Sequence, residues 1–136
     1  MSQDSVSRNS ASPNSTSLLL IVDDLEDNRE LLKEFMTFLG VPREQIRTAE
    51  NGAQALLMAQ AQTFCLILMD LQMPGMDGTE ALRRLRGAGL NTPVVALTAH
   101  NLKGDRERLM GMGFDDFLTK PLARGELKRI LELYFT

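Results

Sequence analysis

Short unbroken apolar runs alternate along this chain with longer stretches in which apolar residues recur every three or four positions. The first run, Leu18–Val22 (LLLIV), predicts a strand covered on both faces. From Asn28 to Leu39 the spacing turns helical, with Leu31, Leu32, Phe35, Phe38 and Leu39 on a shared face, Asp27 as N-cap and Gly40 at the C′ position. A second strand is expected over Gln45–Ala49, then the turn signal Asn51-Gly52 and an Ala-rich helix running to Ala61. Leu66–Met69 reads as the third strand, Gly78–Arg86 as a helix, and Pro93–Thr98 as the fourth strand. Asn101–Met110 predicts a helix ended by the Gly111/Gly113 pair, Asp116–Thr119 a fifth strand, and Arg124–Tyr134 a last helix with Leu127, Ile130, Leu131 and Tyr134 facing inward. Five alternations of strand and helix predict an α/β fold with a parallel sheet covered on both faces.

In such a sheet the chemistry lies just beyond the strands' C-terminal ends. The first strand delivers Asp23 and Asp24 there, the third Asp70, the fourth Thr98 followed by the small Ala99, and the fifth Lys120 followed by Pro121. The second has nothing ionisable at its end, although Glu50 follows it. Three carboxylates gathered at one spot repel each other unless a cation sits among them. Hard oxygen ligands of this kind suit Mg²⁺, which takes one or two carboxylates, waters and often a phosphate oxygen. With the metal in place a carboxylate can act as nucleophile and form an acyl phosphate. Phosphoryl transfer is mainly positioning and charge neutralisation, so Lys120 opposite the metal and the Thr98 hydroxyl complete the set. On this reading Asp70 is the phosphate acceptor. The breakers that follow it, Pro74, Gly75 and Gly78, leave room for the phosphoryl group.

Composition narrows the partners. The 136 residues suffice for one domain with a single full core, and a net charge of −3 lacks the basic stripe that nucleic acid would need. The single cysteine, Cys65, cannot form an internal disulfide, and no apolar run approaches the length of a membrane span. The polar N-terminus has no signal-peptide pattern, so the Asn14-Ser15-Thr16 sequon is read as chance and the protein as cytoplasmic. Residues 1–17, rich in Ser and Asn, are expected to form a disordered tail or linker before a domain over 18–136.

Taken singly, these features have plainer readings. An acidic pair after a strand is often a solvated helix start, Thr98 a helix signal and Lys120-Pro121 an ordinary loop. Asp77 reads as a loop or N-cap acid, His100 as an exposed rim residue, and Met69, Met73, Met76, Met110 and Met112 as core and loop packing. Their joint arrival at four of five strand ends is what favours the functional reading.

The chain resembles a response-regulator receiver domain, the phosphoacceptor module of two-component signalling. The resemblance runs from Leu18 to about Phe135 and rests on IVDD (Ile21–Asp24), LMDLQMPGMDG (Leu68–Gly78), PVVALTAH (Pro93–His100) and FLTKP (Phe117–Pro121). The wording is closest to receivers of hybrid sensor kinases and multistep phosphorelays. The resemblance implies a three-layer flavodoxin-like (βα)5 fold with strand order 2-1-3-4-5, an order the family shares with flavodoxin itself. It casts Asp70 as the phosphorylated residue, Asp24 and Asp70 as Mg²⁺ ligands, Asp23 as holding the metal largely through water, and the Gln72 backbone carbonyl as a further ligand. Thr98 and Lys120 bind the phosphoryl group, Lys120-Pro121 is a cis peptide, and Phe117 is the aromatic switch whose ring turns inward when Thr98 is drawn to the phosphate. Gln72 and His100 occupy variable positions that influence the phosphate's lifetime. The implied partners are a histidine kinase or a histidine phosphotransfer domain, with no direct nucleic acid, no membrane insertion, and a monomer or weak dimer.

Two departures stand out. Cys65 sits where related sequences commonly have an acid, at the far end of the strand from Asp70, and Phe117 replaces the frequent Tyr. Two rivals fit less well. A phosphatase of the haloacid dehalogenase type needs a second acid two residues after its nucleophile, where this chain has Gln72. A flavodoxin needs a Ser/Thr/Gly-rich phosphate loop after the first strand, where this chain has Asp23-Asp24-Leu25-Glu26.

Overall fold

A computed structural model describes residues 17–73, 75–99 and 105–135. Five strands, β1 (Leu19–Val22), β2 (Ile46–Ala49), β3 (Leu66–Asp70), β4 (Val94–Thr98) and β5 (Asp116–Thr119), alternate with α1 (Glu26–Phe38), α2 (Gly52–Ala61), α3 (Gly78–Gly87), α4 (Asp105–Gly111) and α5 (Arg124–Tyr134). All strand pairs are parallel, in the order β2-β1-β3-β4-β5. Every residue of β1, β3 and β4 is buried, which explains why these strands read as continuous apolar runs rather than alternations.

The pleat divides that apolar content between two cores. Leu20, Val22, Ile67, Met69, Val94 and Ala96 face α2, α3 and α4, packing with Ala55, Ala81, Leu82, Leu85 and Leu109. The alternate residues Leu19, Ile21, Leu66, Leu68, Val95 and Leu97 face α1 and α5, packing with Leu32, Met36, Leu127, Ile130 and Leu131. A clamp ties the end of α3 to the starts of β4 and β5. The Arg86 guanidinium donates to the carbonyls of Leu90 and Thr92 at 3.0 and 2.9 Å and to Asp115 Oδ2 at 3.1 Å, and Asp115 Oδ2 also accepts from Val94 N.

Several sequence expectations need correcting. Helix α1 starts at Glu26 with Leu25 in the N-cap position, so Asp27 lies in the first turn instead of capping it. Only Leu32 and Met36 of α1 are buried; Leu31 and Phe38, expected on the core face, are 56% and 68% exposed. The Phe38 ring is covered instead by the Arg124 guanidinium, 4.7 Å from its centroid. Gln45 belongs to a 3-10 turn before β2, and Pro93 precedes β4. Met69 and Met73 are buried, whereas Met110 and Met112 are 40% and 44% exposed. Gly40 does occupy C′, with φ +108°. Tyr134 is half-buried and donates to the Asp115 carbonyl.

Asn51-Gly52 is a helix start, not a turn. Asn51 Oδ1 accepts from Gln54 N at 2.8 Å, and a Cβ on Gly52 would stand 2.9 Å from that of Ala81, so glycine there lets α2 approach α3. The tail expected over 1–17 lies outside the described residues except for Ser17, as do Pro74, His100 and the first residues expected of the fourth helix.

Candidate phosphoacceptor site

Strand register builds the site. Val22 pairs with Met69, so Asp23, one residue further, comes level with Asp70 at the end of β3. Asp70 pairs with Leu97 and Thr98 with Thr119, which brings Thr98 and then Lys120 to the same edge. The sheet thus unites Asp23, Asp24, Asp70, Thr98 and Lys120 as the sequence predicts. Asp23, Asp70 and Thr98 are buried, and Asp24 and Lys120 are half-buried.

One carboxylate oxygen each from Asp23, Asp24 and Asp70 lies within 4.8 Å of the others. Asp70 is held at both oxygens: Gln72 N donates to Oδ1 at 3.0 Å and Lys120 Nζ to Oδ2 at 3.2 Å. Asp23 is anchored at three atoms. Its N–H donates to the Ala49 carbonyl, its Oδ1 accepts from Leu25 N at 2.9 Å, and its carbonyl accepts from Arg29 Nη1 at 2.8 Å. Its Oδ2 is buried and has no hydrogen-bond partner among the described residues.

Burial pushes the Asp23 carboxyl above its ordinary value; the Leu25 N–H opposes this, the charge of Asp70 adds to it, and Lys120 and Asn28 pull it back. A divalent cation bound by oxygen ligands fits this arrangement, because it would neutralise the crowding and reach the orphaned oxygen directly or through water. The donor set is all oxygen, as Mg²⁺ prefers.

The loop after β3 has its own constraint. A Cβ on Gly78 would lie 2.6 Å from the Asp70 carbonyl oxygen and 3.0 Å from Leu71 Cα, so only glycine lets α3 start this close to the site. Asp77 caps that helix, accepting from Glu80 N at 3.0 Å and from the Thr79 hydroxyl; these bonds hold its carboxyl below the ordinary value. It is therefore a capping acid, as expected. Lys120-Pro121 is cis. Phe117 on β5 is half-buried, and the Arg106 guanidinium of α4 lies 5.7 Å from its ring centroid. Cys65 is half-buried at the opposite end of β3, where its Sγ meets the Leu18 carbonyl at 3.3 Å and burial pushes the thiol's pKa up.

Two features have no signal in the sequence pattern. One is Arg29, whose reach back to the Asp23 carbonyl belongs to no periodicity. The other is a mainly apolar groove of about 290 Å³ beside the site, lined by Asp23, Asn28, Leu31, Phe35, Lys120 and Leu122, which the exposed α1 face opens.

A doubly wound parallel domain with an acidic, lysine-flanked cleft at its strand ends defines a class, and comparison with known proteins identifies it. The chain belongs to the response regulator receiver domain family, whose model matches residues 19–132. It is 36% identical over 124 residues to the sensor histidine kinase RcsC of Salmonella typhi, covering 91% of this chain but 13% of that protein. It is 40% identical over 115 residues to a two-component response regulator of Oryza sativa subsp. japonica, covering 83% of this chain and 90% of that one. The receiver domain of a Pseudomonas aeruginosa sensor histidine kinase, solved with a magnesium ion coordinated in its active-site cleft, superposes with a TM-score of 0.76 at 36% identity, covering 88% of this chain and 97% of that one. This chain is therefore a receiver domain of two-component or phosphorelay signalling, and it spans a small part of the sensor kinases it matches. No helix among the described residues is long and apolar enough to cross a membrane.

Proposed function

We propose that Asp70 accepts a phosphoryl group from a phosphohistidine and that the resulting acyl phosphate switches the domain's surface. The observation that carries this reading is the one-sided cluster: three carboxylates with oxygens within 4.8 Å of one another, and a buried Asp23 Oδ2 without a hydrogen-bond partner among the described residues. Asp24, Asp70 and the Gln72 backbone carbonyl would hold Mg²⁺, with Asp23 assisting largely through water. The metal supplies charge neutralisation for the incoming phosphoryl oxygens.

The chain's own groups do the rest. A carboxylate oxygen of Asp70 attacks phosphorus, the P–O bond forms as the P–N bond to the donor imidazole breaks, and the electron pair leaves on that nitrogen, which then takes a proton. Lys120, now on Asp70 Oδ2, transfers its donor to a phosphoryl oxygen, and the Thr98 hydroxyl donates to another. Drawing Thr98 toward the phosphate frees space for the Phe117 ring to turn inward, so the signal reaches the face of α4 and β5.

The partner is a histidine kinase or a histidine phosphotransfer domain in the cytoplasm. The domain, over 18–136, acts as a monomer or weak dimer. It promotes its own phosphorylation and dephosphorylation rather than turning over other molecules. With a net charge of −3 it offers nucleic acid no electrostatic attraction.

Intact-mass measurement after incubation with acetyl phosphate, with and without Mg²⁺, tests the reading. The expected result is one metal-dependent, hydroxylamine-labile phosphoryl adduct that Asp70→Asn lacks. No adduct from acetyl phosphate or from a phosphorylated histidine donor, in folded protein, rules Asp70 out as the acceptor.

A further inference from the structure

The β1–α1 connection is only Asp23, Asp24 and Leu25, and it carries two of the three clustered carboxylates. A helix start of this kind usually relies on a side-chain cap, but Leu25 at the N-cap offers none. Two other bonds fix the turn. Asp23 Oδ1 accepts from Leu25 N at 2.9 Å, and from one turn further on, the half-buried Arg29 returns its Nη1 to the Asp23 carbonyl at 2.8 Å. With the Asp23 N–H held by the Ala49 carbonyl of β2, the residue is fixed on both sides of its Cα. Its Oδ2 is buried and without a hydrogen-bond partner among the described residues, and one of its carboxylate oxygens lies within 4.8 Å of oxygens of Asp24 and Asp70.

We infer that Arg29 is a positioning residue for the metal site: its guanidinium, bonded to the Asp23 carbonyl, sets the orientation of the β1–α1 turn and so the alignment of Asp23 and Asp24 toward a bound divalent cation. The inference rests on the proposed role of that cluster in holding Mg²⁺. Arg29 does not touch the reacting atoms; it acts through the backbone of a residue that does. Outer groups that orient metal ligands in this way change metal affinity by about 10- to 100-fold when removed. A guanidinium fits the task because its planar fork keeps a fixed aim, whereas a lysine at the same position offers a mobile point charge on a flexible stem.

The experiment is a Mg²⁺ titration of the full chain by isothermal calorimetry for the wild type, Arg29→Ala and Arg29→Lys, with metal-free melting curves and acetyl phosphate labelling at saturating Mg²⁺. The expected result is a Mg²⁺ Kd raised roughly tenfold or more in Arg29→Ala and partly recovered in Arg29→Lys. At saturating Mg²⁺ the labelling rate of Arg29→Ala should return to within about twofold of wild type, because the attacking group and Lys120 are untouched. An unchanged Kd overturns the inference. So does a labelling rate that stays low at saturating Mg²⁺ alongside a collapsed metal-free melting temperature, which would make Arg29 a merely structural residue. Should Arg29→Ala fail to fold, Arg29→Lys decides by the same Kd criterion: a Kd equal to wild type overturns the inference and an intermediate weakening sustains it. A wild type that binds no Mg²⁺ instead sinks the metal reading itself, and the inference with it.

Discussion

Lys120 Nζ reaches Asp70 Oδ2 at 3.2 Å across a sequence gap of 50 residues, from the edge strand over β4 to the centre of the sheet. That contact joins the strand bearing the proposed phosphoacceptor to the strand bearing Phe117. Asp70 is buried and Lys120 only half so, which would leave the lysine room to follow an oxygen outward in the proposed phosphorylation.

Replacing Lys120 by Ala should therefore separate metal binding from signalling. With a competing positive charge removed, Mg²⁺ should bind at least as tightly as in wild type. Labelling by acetyl phosphate should slow by roughly a hundredfold, the scale on which one charge-stabilising donor acts. The Mg²⁺-dependent phosphorylated fraction that does form should show no change at α4 and β5 in amide chemical shifts. A full shift change in that variant contradicts the assigned role.

Asp23 makes a prediction about stability and pH. Burial raises its carboxyl pKa in the folded chain, so the folded state holds that proton more tightly than the unfolded one. The sign follows: ionising Asp23 costs stability, the cost is absent below the unfolded carboxyl value, grows as pH rises toward the raised folded value, and is fully present above it. Asp23→Asn keeps an oxygen for the Leu25 N–H while removing the charge. At pH 7 without metal, the variant should melt at a higher temperature than wild type. That gain should vanish in strongly acidic buffer. Mg²⁺ should stabilise wild type by about 2.7 kcal/mol at a hundred times its Kd and the variant far less. A variant that melts lower than wild type at neutral pH would show that the charge is already compensated within the protein.

The sequence made the sheet legible because burial on both faces writes β1, β3 and β4 as apolar runs, and it made the site legible because parallel strands end together. Asp70 and Thr98 end β3 and β4, and Asp23 and Lys120 directly follow β1 and β5, so topology alone brings them to one edge. What stayed hidden depends on contacts that leave no periodic trace. Asp27 reads as a cap by residue type, yet the Asp23 Oδ1 bond to Leu25 N and the Arg29 bond to the Asp23 carbonyl start the helix earlier. Leu31 and Phe38 share helical spacing with Leu32 and Phe35, but the apolar stripe of α1 is wider than the sheet can cover, so its flank stays exposed. Gly52 resembles a turn glycine until the approach of Ala81 is seen.

Gly78 links packing to chemistry. An added methyl there meets the Asp70 carbonyl oxygen at 2.6 Å, a backbone atom that can move only with the proposed acceptor residue itself. Gly78→Ala should cost about 1–3 kcal/mol in urea unfolding and slow acetyl phosphate labelling roughly tenfold, since small misplacements of a nucleophile are expensive. Loss of stability with an unaltered labelling rate per folded molecule would show that the strain is absorbed by α3 instead of β3.

The Arg106 guanidinium over the Phe117 ring bears on how far the proposed switch is set before phosphorylation. Phe117 is half-buried, and the inward turn proposed for its ring would break the contact with the cation. An exposed cation–π contact contributes about 0.5–1 kcal/mol, which corresponds to a two- to fivefold bias toward the outward ring. Arg106→Ala should remove that bias and leave the phosphoacceptor chemistry intact, because no reacting group is touched. The measurement is fluorine NMR on 4-fluorophenylalanine-labelled protein, comparing ring populations before and after labelling by acetyl phosphate. In the variant the unphosphorylated spectrum should move part of the way toward the phosphorylated one, with an unchanged labelling rate. Identical unphosphorylated spectra would mean that the Arg106 contact merely accompanies the outward ring and does not hold it there.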